Sequence, residues 1–393
     1  MAIASLEDAL KAVAEVAPVA REYCQKAEDR RGLPVEVVDA IEGAGLWRAF
    51  APTEVGGANL VALGEQFEIV RAMAYEDTSA AWGLFICGVG AALVGAKLPA
   101  QGREEVFANG VVPMAGVFNP GGSAQLTADG LVVNGKWPFA SGIGYAGWAM
   151  ANAIVLDESG APRPGIGGLP EIRSVVVAID DLTIIDDWHV AGLRGTGSMS
   201  FTMDGVTVPE HRTFPFFGPT TDAGHKYRLP LVSLIGPPFA AMAVGLADRL
   251  VDELLALLPT RVGPPTFQPA SADPVNQSTV GRAMAAVHGA RESTRAIFAR
   301  YDARLAAGED LTALPLDGRA ELHRHIVWAA ATCRDAVNEL FLLAGASSIY
   351  EPGVIQRIWR DINVLNQHVY LRLTNFENAG KVALGFDVAT PLF

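Results

Sequence analysis

The sequence predicts an α+β protein in three consecutive parts: a helical opening region, a β-rich centre and a closing helical bundle. Two observations carry this. Apolar residues recur every three or four positions up to about Val112 and again after Pro237-Pro238, whereas short β-branched runs cut by Gly, Pro, Asp and Asn fill the stretch between. The length of 393 residues exceeds what one hydrophobic core usually serves, so the parts read as domains: 1–112, 113–222 and 223–393.

In the first part Leu6, Leu10, Val13 and Val16/Ala17 mark one helical face, and Pro34 opens a second helix that Gly43 and Gly45 close. Pro52 and Gly56-Gly57 form a loop before a helix through Phe67, Val70 and Met73/Ala74. The centre offers strands at 131–133, 149–156, 174–179, 182–185 and 201–208, with Ala128-Asp129-Gly130 as a hairpin turn. Strands without an intervening helix imply a β-barrel or a sandwich. Helical periods at 240–258, 278–305, 317–345 and 354 to about 384 read as an antiparallel four-helix bundle, with a surface loop at 261–274.

With 43 acidic and 30 basic residues the formal charge is −13, which argues against nucleic acid or an anionic membrane as partner. Cys24, Cys87 and Cys333 are scattered and lack metal or redox spacing, so they read as reduced residues of a cytoplasmic protein, and no metal is expected. Glu7, Asp8, Lys11 and Glu15 interrupt the N-terminal apolar pattern, unlike a signal peptide. The apolar run 80–94 falls short of the roughly 20 residues of a membrane span, so no membrane segment is expected.

Two segments carry chemistry. Asn134-Gly135-Lys136-Trp137-Pro138-Phe139-Ala140-Ser141-Gly142 puts aromatic rings, a hydroxyl and glycines side by side, and Asp187 to Ser198 ends in Leu193-Arg194-Gly195-Thr196-Gly197-Ser198. Taken alone, the first is equally a half-buried strand with core aromatics and the second an ordinary turn. Together they read as a flavin site. Trp137 and Phe139 would offer a wall to the ring system, and the Ser141 hydroxyl or N–H would meet the flavin edge, with Gly142 allowing close approach. Arg194, Thr196, Gly197 and Ser198 would hold a phosphate or the ribityl chain.

These motifs, with Val206-Thr207-Val208-Pro209-Glu210-His211-Arg212 and the late Arg360-Asp361 and Gln367-His368, resemble the acyl-CoA dehydrogenase superfamily over nearly the whole chain. Within it the chain is similar to the flavin-dependent monooxygenases, the oxygenase components of two-component hydroxylases. The resemblance implies an acyl-CoA dehydrogenase-like fold, bound FMN or FAD and a homotetramer. Dehydrogenases of the superfamily carry a glutamate just beyond the Arg-Asp pair as α-proton base; residues 362–370 here hold no carboxylate.

His368 matches the histidine of the hydroxylase branch, where an imidazole titrating near 6.5 handles a substrate or flavin-adduct proton; as a lone His on an apolar helix it is also an ordinary structural residue. Ser141 would act at the same adduct. Asn119, in Phe118-Asn119-Pro120-Gly121-Gly122, falls where relatives place a loop against the flavin, and Trp82 falls on the substrate-pocket helix; their plain readings are a turn Asn and a core aromatic. Arg282 and Arg291 are candidates to reach a flavin phosphate from a neighbouring subunit, while Glu351, Arg357 and Arg360 with Asp361 read first as helix-end and intersubunit ion pairs.

The function expected is a reduced-flavin-dependent monooxygenase hydroxylating a hydrophobic, aromatic or polycyclic small molecule through a C4a-hydroperoxyflavin. No nicotinamide fingerprint occurs in the chain, so a separate flavin reductase is the implied partner. The alternatives are an acyl-CoA dehydrogenase-like FAD oxidoreductase and a redox-inactive binding subunit.

Overall fold

The computed structural model describes residues 3–217, 224–263 and 267–388; the boundary expected at 222 lies outside the described residues. The helices are α1 (Leu6–Arg30), α2 (Val35–Gly43), α3 (Leu63–Glu76), α4 (Thr78–Lys97), α5 (Ala100–Val106), α6 (Leu231–Leu234), α7 (Pro237–Leu257), α8 (Pro274–Ala306), α9 (Leu316–Ala344), α10 (Val354–Leu365) and α11 (Thr374–Ala383). The strands are β1 (Met114–Thr127), β2 (Gly130–Trp137), β3 (Trp148–Leu156), β4 (Ile172–Ala178), β5 (Thr183–Ile185), β6 (Ser200–Val208) and β7 (Thr213–Pro215). Compactness divides the chain into two units, one of Met1–Val61, Trp82–His189 and Arg194–Tyr227, the other of Ala62–Ala81, Val190–Leu193 and Arg228–Phe393.

In the first unit α1 starts where the Ser5 hydroxyl accepts from the Asp8 N–H at 3.2 Å. It ends at Arg31, whose left-handed φ of 56° turns the chain back on the last helical carbonyls. The seven strands form one sheet in the order β5-β6-β2-β1-β3-β4-β7. β1 and β2 join through the expected Ala128-Asp129 hairpin, and β1 pairs in parallel with β3. The sheet curls: β4 and β6, four places apart in that order, bring Cα atoms within 8 Å of each other. Side chains from both strands fill the enclosed core.

β1 is the strand the sequence hid. Asn119-Pro120-Gly121-Gly122 reads as a loop but lies inside a 14-residue strand, with a register shift between Val117 and Gly122. The glycines are there for Trp137. A Cβ on Gly121 would sit 2.8 Å from its indole ring and one on Gly122 2.6 Å away, so only bare backbone leaves room for it.

The second unit is helical. α3 packs along α7 and α8, α9 packs against α7 and α8, and α10 and α11 lie on α9. Thus α3, from the opening region in sequence, belongs to the bundle. Arg71 and Arg291 flank Asp248 at 3.3 and 2.9 Å, and Arg295 reaches Glu68 at 2.5 Å. Arg282 pairs with Glu339 at 3.3 Å. Both arginines considered for a flavin phosphate therefore have carboxylate partners within their own unit.

The last expected helix, 354–384, is two. After Leu365 the Asn366 side-chain amide donates to the Ile362 carbonyl at 2.8 Å, and His368 takes an extended ψ of 139°. The Tyr370 ring stacks on Phe239 at 4.8 Å and its hydroxyl donates to the Val232 carbonyl at 3.0 Å. Burying that tyrosine draws the chain off the helical path.

Helix α4 also extends beyond the apolar run read from the sequence. It and the segment Leu231–Leu257 are long and apolar enough to cross a bilayer, yet most of each is buried inside the protein. Polypeptide surrounds the apolar faces that lipid would otherwise have to cover.

Candidate functional site

At the end of β2, Pro138 releases the chain from the sheet, and Phe139 adopts a left-handed φ of 65°. Its ring is 67 % exposed and stands edge-on to Trp188, centroids 6.2 Å apart. The next residues are strapped down by backbone: Ala140 N–H donates to the Met199 carbonyl at 3.0 Å and Gly142 N–H to the Thr196 carbonyl at 3.1 Å. The Ser141 N–H donates to the Phe139 carbonyl at 3.0 Å, so of the two groups expected to meet a flavin only the hydroxyl remains. Gly142, at φ 77°, faces Cys87 and Tyr145; a Cβ there would lie 2.6 Å from the thiol sulfur. Its freedom serves packing.

Ser141 is 3 % exposed and sits in a chain of buried groups. Trp82 Nε1–H donates to Ser141 Oγ at 2.8 Å, Ser141 Oγ lies 2.7 Å from Ser198 Oγ, and Ser198 Oγ lies 2.7 Å from Thr196 Oγ1. An indole nitrogen only donates, whereas a hydroxyl donates once and accepts twice. Trp82 therefore occupies one lone pair of Ser141, Ser198 takes one further position, and one bond of the Ser141 hydroxyl is uncommitted.

Several expected contacts have other work. Trp137 is fully buried, stacked on Phe201 at 5.4 Å, and its Nε1–H donates to the Asn152 carbonyl at 2.7 Å. It belongs to the sheet core, because strand alternation turns it to the face opposite solvent. Thr196 and Ser198 are buried in the hydroxyl chain, and Gly197 lies against the Arg31-Gly32 backbone. These residues are too enclosed to form the open phosphate nest expected of them. Arg194 is partly buried at the head of that turn. Trp82, read as a substrate-pocket residue, spends its polar atom on Ser141. Asn119 is exposed on the bulged part of β1.

His368 lies in the second unit, in the break after α10. Its ring packs on Phe239 at 4.5 Å, and Nδ1 accepts the Tyr370 N–H at 3.2 Å. In the neutral ring this places the proton on Nε2. Burial, helped by the charge of Arg372, lowers its pKa from 6.5 to about 4. Near neutral pH it is thus an uncharged imidazole, unlike the group poised near 6.5 that the sequence suggested.

Tyr370, Phe239 and the buried His323, whose ring is 4.5 Å from Tyr370, complete this aromatic stack. None stood out in the sequence, since each is one apolar or aromatic residue within a buried helical pattern. Asp361 is buried, and its Oδ1 accepts the Leu193 N–H at 2.6 Å, so it holds the Gly192-Leu193 turn by its backbone. Arg360 bonds to Gln356 at 2.6 Å and to the Ala191 carbonyl at 3.0 Å, which fixes the same turn.

The donor set of the first unit fits a flavin edge. Such an edge presents a ring nitrogen that accepts when oxidised and donates when reduced, and a hydroxyl with one uncommitted bond meets either. Phe139 adds an exposed aromatic face two residues away.

Residues 238–373 match the family described as Acyl-CoA dehydrogenase, C-terminal domain. The chain is 29 % identical to a pigment production hydroxylase of Rhodococcus sp. (strain ATCC 21145), with 95 % of this chain and 96 % of that protein covered. It is 28 % identical to the flavin-dependent monooxygenase oxygenase subunit HsaA of Rhodococcus jostii (strain RHA1), covering 89 % and 91 %. Among solved structures, XiaF from Streptomyces sp., in complex with FADH2 and glycerol, superposes with a TM-score of 0.88 at 24 % identity, covering 97 % of this chain and 96 % of that one.

Proposed function

We propose, from the premise that this chain belongs to the acyl-CoA dehydrogenase superfamily, that it is the oxygenase component of a two-component flavin-dependent monooxygenase. It hydroxylates a hydrophobic aromatic small molecule. Its relatives are hydroxylases and a monooxygenase oxygenase subunit, aligned with it over about nine-tenths of its length or more. The structural observation that carries the reading is the Trp82–Ser141–Ser198–Thr196 chain, which holds one hydroxyl valence ready beside an exposed Phe139.

A reduced flavin, FMN or FAD, held by these residues would supply the two electrons that let O2 give one oxygen atom to the substrate and the other to water. The chain's own residues bind, orient and move protons. Phe139 offers its ring face to the planar cofactor, and Ser141 holds the polar edge through its hydroxyl. Arg194 is the cationic candidate for the cofactor's phosphate end. His368, neutral with its proton on Nε2, donates a hydrogen bond to the substrate's hydroxyl or amine, or to the reacting oxygen, rather than accepting a proton there.

The dehydrogenase alternative is disfavoured by the fate of Asp361. Residues 362–376 contain no carboxylate, and Asp361 is committed to the Leu193 N–H. The division into domains 1–112, 113–222 and 223–393 is kept as a proposal, as are a homotetramer, a cytoplasmic location and a transient flavin reductase partner.

The test supplies FMN or FAD reduced by an unrelated reductase, with 18O2 and a panel of phenols and indoles. One 18O atom in the product, read by mass spectrometry, supports the proposal. Bleaching of tightly bound FAD by an acyl-CoA, without oxygen incorporation, would move the protein to dehydrogenase chemistry.

A further inference from the structure

The hydroxyl chain has one fixed end and one reversible part. Trp82 can only donate, so the Ser141 oxygen always accepts from it at 2.8 Å. Either partner can donate in the Ser141–Ser198 and Ser198–Thr196 contacts, each 2.7 Å long. Two arrangements follow. If Thr196 donates to Ser198 and Ser198 to Ser141, both Ser141 lone pairs are filled and its O–H points to a ligand. If Ser141 donates to Ser198 and Ser198 to Thr196, Ser141 keeps one lone pair to accept from a ligand. Both arrangements need only rotation about C–O bonds, because no heavy atom moves.

We propose that Thr196–Ser198–Ser141 is a reversible hydroxyl relay, with Trp82 as its fixed donor, that lets one serine grip both oxidation states of the bound flavin. Ser198 is the positioning residue at its pivot. The inference rests on the flavin reading of Ser141 and adds a prediction that reading does not make. Oxidised flavin has an acceptor nitrogen at its N5 edge, and reduced flavin an N–H. Without the Ser198 hydroxyl, Ser141 can still accept from Trp82 and donate to oxidised flavin. Toward reduced flavin it must accept twice, and its own O–H then has no partner in a buried site. An orphaned buried donor costs more than an unused lone pair, so the loss falls on the reduced form, by about tenfold.

The experiment measures binding of oxidised FMN and FAD and, under argon, of the same flavins reduced with dithionite, to wild type, Ser198→Ala and Ser198→Thr. Ser198→Ala is expected to weaken reduced-flavin binding about tenfold and oxidised binding by less than about twofold. The midpoint potential of the bound flavin then falls by about 30 mV, the two-electron equivalent of that ratio. Ser198→Thr, which restores a hydroxyl, returns both values. In the flavin-free protein the 15N indole signal of Trp82 stays in place in Ser198→Ala, since its bond to Ser141 is kept.

Equal weakening of both forms, no change, or failure of Ser198→Thr to rescue would overturn the relay and leave the flavin site standing. A displaced Trp82 signal would overturn its role as the fixed donor. Failure of wild type to bind flavin in either form would overturn the function proposed above and the relay with it.

Discussion

Replacing His368 by Asn isolates one titration that the fold has displaced. Nδ1 of His368 accepts the Tyr370 N–H at the start of a short helical turn, and an Asn Oδ1 can take the same bond, since Asn is a preferred N-cap. The substitution therefore keeps the cap and removes the ionisable ring. In the folded protein the imidazole titrates at about 4, against 6.5 when unperturbed, so the unfolded chain takes up the proton first as the pH falls. Stability tied to this residue is present in full above pH 6.5 and is lost between 6.5 and 4.

Linkage with those two values gives a loss of about 0.2 kcal/mol at pH 7 and about 2 kcal/mol at pH 5. Urea unfolding of wild type and His368→Asn at both pH values, followed by circular dichroism, reads the difference directly. The burial-depressed histidines His323 and His325 are present in both proteins and cancel. Wild type should lose about 2 kcal/mol more than the variant on going from pH 7 to pH 5. A gap that stays constant, or a variant that loses more, would refute the placement of His368 as a buried, neutral ring.

Three further outcomes are expected. Gly142→Ala forces a methyl to within 2.6 Å of the Cys87 sulfur at a left-handed φ and should cost about 2 to 4 kcal/mol in denaturant unfolding. Gly144→Ala, whose Cβ would find its nearest neighbour at 3.6 Å, should be close to neutral. Asp361→Ala leaves the buried Leu193 N–H without its carboxylate and should lower stability by about 1 to 3 kcal/mol, whereas Asp361→Asn, which keeps an acceptor, should recover most of that. Burial pushes the Cys87 thiol up to about 12 and raises that of Cys333, so in Ellman titration at pH 8 only the partly exposed Cys24 should react before unfolding. Three fast thiols in the native protein would contradict the core described here.

The order of element types is legible in the sequence alone, because it follows from local periodicity and from residues with restricted backbones. Pro237-Pro238 does open a long helix and Asp129-Gly130 does end a hairpin turn, whereas Phe139 to Gly142, read from the sequence as strand, leaves the sheet after Trp137. Tertiary structure decided where side chains point and what they meet. Nothing local says that Pro120-Gly121-Gly122 is strand, because the reason is an indole 15 or more residues downstream that needs bare backbone beneath it. Trp137 and Phe139 look alike in the sequence and two positions apart would share a strand face, yet one is buried in the core and the other exposed, because the strand ends at Trp137 and Phe139 takes a left-handed φ. The helix break at Asn366 to His368, and with it the depressed pKa, exists because a distant pocket under Phe239 holds Tyr370. The relay joins positions 59 and 57 residues apart. Such hydrogen bonds depend on closing long loops around a packed core, and only the folded chain can register them.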